Sequence, residues 1–323
     1  LHGADLSGKD LSNADLTNAI LIEADLSNAD LTNTILIGAD LSKANLHGVD
    51  LSGKDLTGVN FIGADLSGKD LSNANLSDTN FFDTFLIGAN LSNTNLTGAK
   101  LVDANLESAN LSNANLPNVV LTDTYLKDTI LTGAVLTNAK FMDSMLWESI
   151  LTGADLSYAN LDGMNLSNVN LTGADLSNAF LTNTLLVDAN LSDANLRNAD
   201  LSNSKLQNTI MSDAILTGTN LSNVILTNTT LTDVDISDAT LTINDRSYAN
   251  LDGNDLSGSN LKGANLLGVD LSDKDLTNAN LTGAYLSGKD LAGTIFKGAN
   301  LSYANLHGAD LSGKDLSNAD LTN

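Results

Sequence analysis

The sequence predicts an all-β protein in which short extended segments stack into a solenoid, and three observations lead to this prediction. Leu occupies 58 of the 65 positions reached in steps of five from Leu1 to Leu321, four more are Phe, and this register never slips. A small residue, most often Ala, stands two positions before each of them. Segment 306–323 also repeats segment 1–18 letter for letter. Because a period of five would spiral Leu around an α-helix and alternate it across a flat strand, neither element alone would bury these residues.

Each pentapeptide is predicted to form one short extended side and one turn. The consensus is Ala, then Asp or Asn, then Leu, then Ser or Thr, then Asn, Gly or Asp. Ala and Leu lie two residues apart and therefore point the same way, while the Asp or Asn between them points outward. Asn, Gly and Asp are favoured in turns. Several such sides would close into a coil, and the coils would stack by strand hydrogen bonds around a dry interior.

Over its whole length the sequence resembles the pentapeptide-repeat family, as the stretch LSNADLTNAILIEADLSNADL illustrates. The resemblance implies a right-handed quadrilateral parallel β-helix with four pentapeptides, or twenty residues, in each coil. Residues 1–323 would then form a single continuous solenoid of about 16 coils (323/20) and about 77 Å in length at ~4.8 Å per coil. It would be a segment of a longer array.

Composition narrows the range of functions. The formal net charge of -24 argues against nucleic acid or an anionic membrane as a partner, and no apolar stretch is long enough to be inserted into a membrane. The absence of Cys removes disulfides and thiolate metal sites. All three His residues follow Leu at an outward position: His2, His47 and His307. We therefore expect no enzymatic activity, no cofactor and no small-molecule substrate, and we leave open weak Ca²⁺ binding along columns of Asp.

Six lysines replace the small inward residue, and each is followed by Asp. An unpaired buried ammonium group is costly, so we expect the Lys stem to lie along the wall and its head to reach water or Asp. The alternative is a salt-bridge site between molecules. The residues are Lys9, Lys54, Lys69, Lys274, Lys289 and Lys314.

One position breaks the Leu register with a charge. Arg246 stands where Leu is expected, and Ile243 stands nearby at a position that is usually polar. Because a guanidinium is implausible in so narrow a core, we expect a local distortion that turns Ile243 inward and Arg246 outward. A binding site at this point is the alternative.

Folding the sequence onto a twenty-residue coil collects outward apolar residues into one apolar strip. Such patches usually mark interfaces, in which aromatic residues and Met are enriched. We therefore predict a lateral interface, against the alternative of neutral drift at surface positions. The apolar strip consists of Phe82, Phe85, Ile87, Val102, Tyr125, Met142, Met145, Trp147, Leu185 and Val187, with Ile22 and Ile62 on the same edge.

The identical end segments predict a structural fibre. They lie 305 residues apart (306 − 1), which is 61 pentapeptides, so a tandem array would continue the register unbroken. No helix or charged plug resembles a cap, and solenoids normally need caps. We therefore expect end-to-end and lateral self-assembly. Asn-x-Ser/Thr triplets are abundant, which favours a bacterial origin over a eukaryotic secreted protein. The sequence does not determine the location, and we favour an extracellular or cell-envelope fibre.

Two other functions remain open at this stage. Some members of the family resemble B-DNA and bind type II topoisomerases, but 24 charges over ~77 Å is about 0.3 per Å, against roughly 0.6 for duplex DNA. A vertical column of Ser and Thr that includes Ser52, Ser72, Ser92 and Ser112 could also order water, as in ice-binding solenoids.

Overall fold

The computed structural model describes residues 1–226, 228–231, 234, 239–243, 256–264, 266 and 271–322. These residues form two compact units, Leu1–Asn160 and Leu161–Asn323. Each unit is a stack of coils whose sides are too short for extended strands. Parallel bridges therefore join single residues twenty apart, such as Asn75 with Asn95 in the first unit and Asn170 with Asn190 in the second. Four pentapeptides occupy each such interval (20/5).

The outward Asp or Asn of each pentapeptide carries the bridge between coils. The Asn95 backbone N–H donates to the Ala74 carbonyl (3.2 Å), and the Asn95 carbonyl accepts from the Leu76 N–H (2.8 Å). A third bond joins the corner residue Asn93 to the Ser112 carbonyl of the next coil (2.8 Å). Every pentapeptide can thus bond through its backbone alone, whatever its outward side chain is.

A tight turn follows each Leu and explains the last residue of the consensus. In 91–94, for example, the turn is centred on Ser92 and Asn93, and only Asn93 has a positive φ, of 58°. Positive φ at this one central position is the pattern of a type II turn, which favours Gly and Asn. At Gly98, with φ of 75°, a Cβ would also overlap the Asp78 carboxylate of the preceding coil.

The interior is a dry column of Leu and Ala. Leu86, Leu96 and Leu106 are at most 1% exposed, and Phe61 and Phe81, at Leu positions, stack with ring centroids 5.5 Å apart. Burying one such side chain is worth about 1.5–3 kcal/mol. Since each Leu is covered by the coils above and below it, this burial depends on stacking.

Thr replaces Ala at some inward positions because the wall offers it a partner. The Thr124 hydroxyl donates to the Leu101 carbonyl of the preceding coil (2.9 Å), and the Thr129 hydroxyl donates to Leu106 (3.0 Å). Buried hydroxyls need such a partner. Each of these carbonyls accepts a turn N–H as well, so both of its lone pairs are used.

Two longer strands lie in the second unit, and their register shifts. Strand β1 (Asn220–Val224) pairs in parallel with β2 (Thr240–Ile243). Asn220 pairs with Thr240, twenty residues away, but Val224 pairs with Ile243, which is only nineteen residues away. The backbone of Ile243 thus stands opposite a buried inward residue, since Val224 is 0% exposed. Arg246 lies outside the described residues, so the predicted exchange of Ile243 and Arg246 stays a prediction.

Within the described part of the chain, no helix has the length and apolar character needed to cross a membrane.

Candidate interaction surface

One outer wall of the first unit carries five of the ten residues of the predicted apolar strip. Bridges join Phe85 to Asn105, Asn105 to Tyr125, and Tyr125 to Met145, so these outward side chains stack in one column. The residue two positions later in each coil begins the next corner and forms a second column beside the first. We call these two columns the aromatic face, and its residues are Phe85, Ile87, Asn105, Glu107, Tyr125, Lys127, Met145 and Trp147.

The aromatic face presents large apolar side chains to solvent, most fully at the end that carries Phe85 and Ile87. Phe85 is 47% exposed, Ile87 40% and Tyr125 47%, while Met145 and Trp147 are half-buried. Their backbones are already bonded between coils, so the exposed area is unused side-chain surface. Clustered exposure of this kind is typical of a contact site.

Three residues of the predicted strip lie on a corner instead of this face. Phe82, Val102 and Met142 occupy the first turn position, before the chain enters the aromatic face. The Phe82 N–H donates to the Asn80 side-chain oxygen (3.2 Å), which associates it with the preceding wall. Phe82 and Met142 are 43% and 63% exposed. The strip predicted from the sequence therefore combines residues of the aromatic face with residues of the adjoining corner.

A small ion cluster lies on the aromatic face. The Lys127 amine is 2.9 Å from Asp128 and 3.3 Å from Glu148. The hydrogen bond to Asp128, and then that to Glu148, raise the pKa of Lys127, so it stays charged. Glu107 precedes Lys127 in the same column. The link from Lys127 to Glu148 could not be predicted from the sequence because the two residues belong to successive coils.

Other apolar side chains lie outside the aromatic face. Ile130 and Ile150, which the strip did not include, are 36% and 39% exposed on the next wall of the same coils. Leu185 and Val187 belong to the second unit and are half-buried.

Two of the six inward-position lysines, Lys54 and Lys69, bond the wall. The Lys54 amine donates to the Leu31 carbonyl (2.8 Å), twenty-three residues earlier, as the inward Thr hydroxyls do. The Lys69 amine donates to the Val49 carbonyl (3.3 Å). Burial lowers the pKa of Lys69, and the nearby Asp65 carboxylate partly opposes this shift. Lys274 is 7% exposed, Lys289 and Lys314 are half-buried, and Lys9 is exposed.

Surface clefts adjoin two of these lysines. One of about 340 Å³ is lined by Lys43, His47, Asp65 and Lys69, among others. The other, of about 420 Å³, lies beside Lys54. A Lys in place of Ala thus accompanies an opening between neighbouring coils.

Most carboxylates and hydroxyls of the outer wall are engaged in their own turns. The Asp70 side chain accepts the Ser72 N–H (2.9 Å), and hydrogen bonds from Ser72, from its hydroxyl first, lower the pKa of Asp70. In the Ser column, the Ser92 hydroxyl donates to Asn90 (2.8 Å) and the Ser112 hydroxyl to Asn110 (2.6 Å). In the described ranges, no three His, Asp or Glu residues are grouped so that they could hold a metal ion.

Comparison with known proteins agrees with this geometry. The family described as Pentapeptide repeats (8 copies) matches residues 1–33, 21–53, 55–93, 74–113, 104–143, 120–157, 149–186, 181–213, 211–242, 247–273, 275–313 and 299–323. The chain belongs to the pentapeptide-repeat family. Family members of known structure form right-handed quadrilateral β-helices. The family generally provides structural or protein-binding scaffolds and not enzymes.

Solved structures of this family are similar to the chain. HetL, a pentapeptide repeat protein involved in heterocyst differentiation regulation in the cyanobacterium Nostoc sp. strain PCC 7120, is 31% identical. That match covers 76% of this chain and 88% of HetL, with a TM-score of 0.25. A trypsin-treated form of QnrB1, a plasmid-mediated fluoroquinolone resistance protein, is 21% identical over 58% of this chain and 84% of QnrB1, with a TM-score of 0.32. No curated protein matches the chain.

Proposed function

We propose that this pentapeptide-repeat protein is a structural element that assembles with copies of itself, end to end and laterally, into a fibre. The observation that carries the proposal is the open surface left by an otherwise closed fold. The backbone and most polar side chains form hydrogen bonds within each stack and the Leu core is buried, whereas the aromatic face keeps apolar surface exposed. The right-handed winding and the continuous solenoid of about 16 coils over residues 1–323 stay predictions from the resemblance.

The identical end segments support end-to-end assembly. A further coil stacked on either segment would bury its Leu side chains, whether it came from the same polypeptide or from another copy. Because segments 1–18 and 306–323 are identical, the array can continue without a change of register. Contacts of this kind that do not close produce filaments.

The outward polar groups support a structural role over a catalytic one. Carboxylates such as Asp70 accept bonds from their own turns, and His47 and His307 are exposed on corners. A catalytic site needs unlike groups that converge in a pocket. The outer wall instead distributes one polar group to each turn, and this stabilises the turns.

Electron microscopy and sedimentation of the purified chain test this proposal. We expect the mean particle length to increase with protein concentration, since each added contact covers exposed Leu. Leu316→Asp places a charge in the half-buried end coil and should shorten the particles, whereas Ser317→Asp, on the exposed corner beside it, should not. Particles of constant length that inhibit gyrase supercoiling would favour the topoisomerase-binding alternative instead.

A further inference from the structure

We propose that the aromatic face binds the same face of a second copy in an antiparallel arrangement, with the two-fold axis between the rows of Asn105 and Tyr125. This inference rests on the proposed lateral self-assembly and adds the partner surface, its direction and its register. All the residues involved lie in the first unit.

The order of residues along the aromatic face is self-complementary when one copy of the face is turned end for end. An outer row contributes Phe85 and Ile87, and the outer row at the opposite end contributes Met145 and Trp147. Rotation about the proposed axis places Phe85 of one copy against Met145 of the other, and Ile87 against Trp147. Each pair occurs twice because the contact is symmetric. Apolar and aromatic side chains thus cover each other at both ends of the contact, and Met sulfur packs well against aromatic rings.

In the column of Ile87 and Trp147, the two inner rows carry one acidic and one basic side chain. The same rotation places Glu107 opposite Lys127 of the second copy and Asn105 opposite Tyr125. Lys127 keeps its bonds to Asp128 and Glu148, so the new pair adds to an existing ion cluster. Opposite charges that meet across an interface select its register more than its affinity.

A parallel arrangement fits the face poorly. It would place the column that contains Glu107 and Trp147 against the other edge of the partner's aromatic face. That edge carries an Asp in every row: Asp83, Asp103, Asp123 and Asp143. Glu107 would then face Asp103, Lys127 would face Asp123, and Trp147 would face Asp143. The two charged pairs offset each other, and the contact of Trp147 with a carboxylate selects against this arrangement. In the antiparallel arrangement these Asp residues meet only one another, at the exposed rim where solvent and salt screen them.

The contact is small. Four rows at ~4.8 Å span about 14 Å between the outer rows. With a width of ~15 Å this gives roughly 200 Å² per partner, which belongs to the weak class of interfaces. One pair of faces therefore associates weakly, and many pairs along a fibre would act together. The experiment must consequently trap the contact instead of relying on a stable dimer.

Cross-linking between single-cysteine variants reads the direction of packing, since the natural chain has no Cys. Asp83→Cys and Asp143→Cys lie on the rim and leave the apolar contact intact. With a short bis-maleimide, we expect a mixture of the two to yield a cross-linked dimer at least about tenfold faster than either variant alone, because like sites lie ~14 Å apart along the axis. Asn93→Cys mixed with Gly153→Cys, turn positions of the same two rows on another corner, is the matched control and should give background linking.

Charge exchange tests the register. Glu107→Lys places Lys opposite Lys127 of the partner, and Lys127→Glu places Glu opposite Glu107. Each variant alone should therefore cross-link at least about tenfold more slowly through the rim cysteines. An equimolar mixture of the two should recover the rate, because every inner pair is then of opposite charge. Circular dichroism and the fluorescence of Trp147, the only Trp, check the fold of each variant.

The cross-linking pattern distinguishes antiparallel packing, parallel packing and the absence of this contact. Preferred linking of Asp83→Cys to Asp143→Cys, with recovery in the charge mixture, supports the antiparallel contact. Preferred linking of Asp83→Cys to Ile87→Cys would show parallel packing and overturn the inference, as would linking at the control corner. Background linking everywhere overturns it too. If particles still lengthen with concentration in that case, end-to-end assembly stands without this contact. If they do not, the proposed function fails as well.

Discussion

Two walls of the same coils in the first unit show how one backbone supports opposite surfaces. One is the aromatic face, and the other carries a column that we call the amide ladder: Asp55, Asn75, Asn95 and Asn115. In the amide ladder each Asn amide donates to the side chain twenty residues earlier, at 3.2, 3.2 and 3.4 Å. Each Asn oxygen in the middle of the ladder also accepts a backbone N–H from its own turn, as Asn95 does from Thr97 (3.2 Å).

The difference lies in the side chains alone. Both walls use the same bridges between coils and the same buried Leu. The amide ladder completes its bonds along the stack and leaves little for a partner to satisfy. The aromatic face stacks Phe85, Tyr125 and Met145 at the same spacing, but apolar groups remain exposed until something covers them. The backbone thus determines the fold. The outward residue of each pentapeptide determines whether a wall is closed, with its polar groups bonded along the stack, or adhesive, with apolar groups left for a partner to cover.

A charge placed in the core should reduce stability most, whichever wall lies above it. Leu86→Asp, under the aromatic face, and Leu96→Asp, under the amide ladder, each place a charge in the dry interior. We expect each to lower the free energy of unfolding by at least ~4 kcal/mol, because a buried unpaired charge adds to the loss of Leu packing. Thermal unfolding followed by circular dichroism measures this, with the exposed Thr97→Asp as control. If the two Leu variants differed widely, the walls would not share one core.

The next effect separates the walls by function. Replacing Phe85 and Trp147 together by Ser removes apolar area at both ends of the aromatic face. We expect lateral association to weaken at least about tenfold while the melting temperature changes little, since partly exposed side chains contribute little to folding. Sedimentation and thermal unfolding of the same samples measure the two quantities. Unchanged bundling would show that rods meet through another wall.

The amide ladder should respond in the opposite way. Asn95→Leu removes a donor to Asn75, an acceptor for Asn115 and an acceptor for the Thr97 N–H. We expect a loss of about 1–2 kcal/mol in the free energy of unfolding, because these bonds are partly solvated. Lateral association should stay as in the unaltered chain. Weaker association in Asn95→Leu would contradict the distinction between a closed and an adhesive wall.

The smallest effect concerns pH. The Ser72 hydroxyl and N–H lower the pKa of Asp70 below its ordinary value, so the carboxylate form stabilises the fold. A lowered folded-state pKa gives stability that is present above the ordinary pKa and is lost as the pH falls through the folded-state pKa. Ser72→Ala should therefore raise the pKa of Asp70, as measured by carboxyl chemical shifts in NMR. Asn95, which does not titrate, should show no such dependence on pH.

Much of the fold could be predicted from the sequence because the repeat is strict. The Leu register, the inward Ala and the turn at Asn or Gly follow from which residues can be buried and which tolerate positive φ. The partners of the inward lysines could not be predicted. Lys54 was expected to reach water or Asp, but it lies beside the Leu31 carbonyl, whose position is known only once the preceding coil is in place.

The family, the direction in which each residue points and the existence of an apolar surface follow from the amino-acid pattern, since these depend on a period of five along one chain. Which side chains become neighbours is known only from the folded stack. It divided the predicted strip between a face and a corner, joined Lys127 to Glu148, and placed Ile243 opposite Val224 after a register shift. The physical reason is that such contacts join residues about twenty positions apart. Their distances depend on how closely successive coils approach, and that approach is set by the hydrogen bonds and packing of the whole stack.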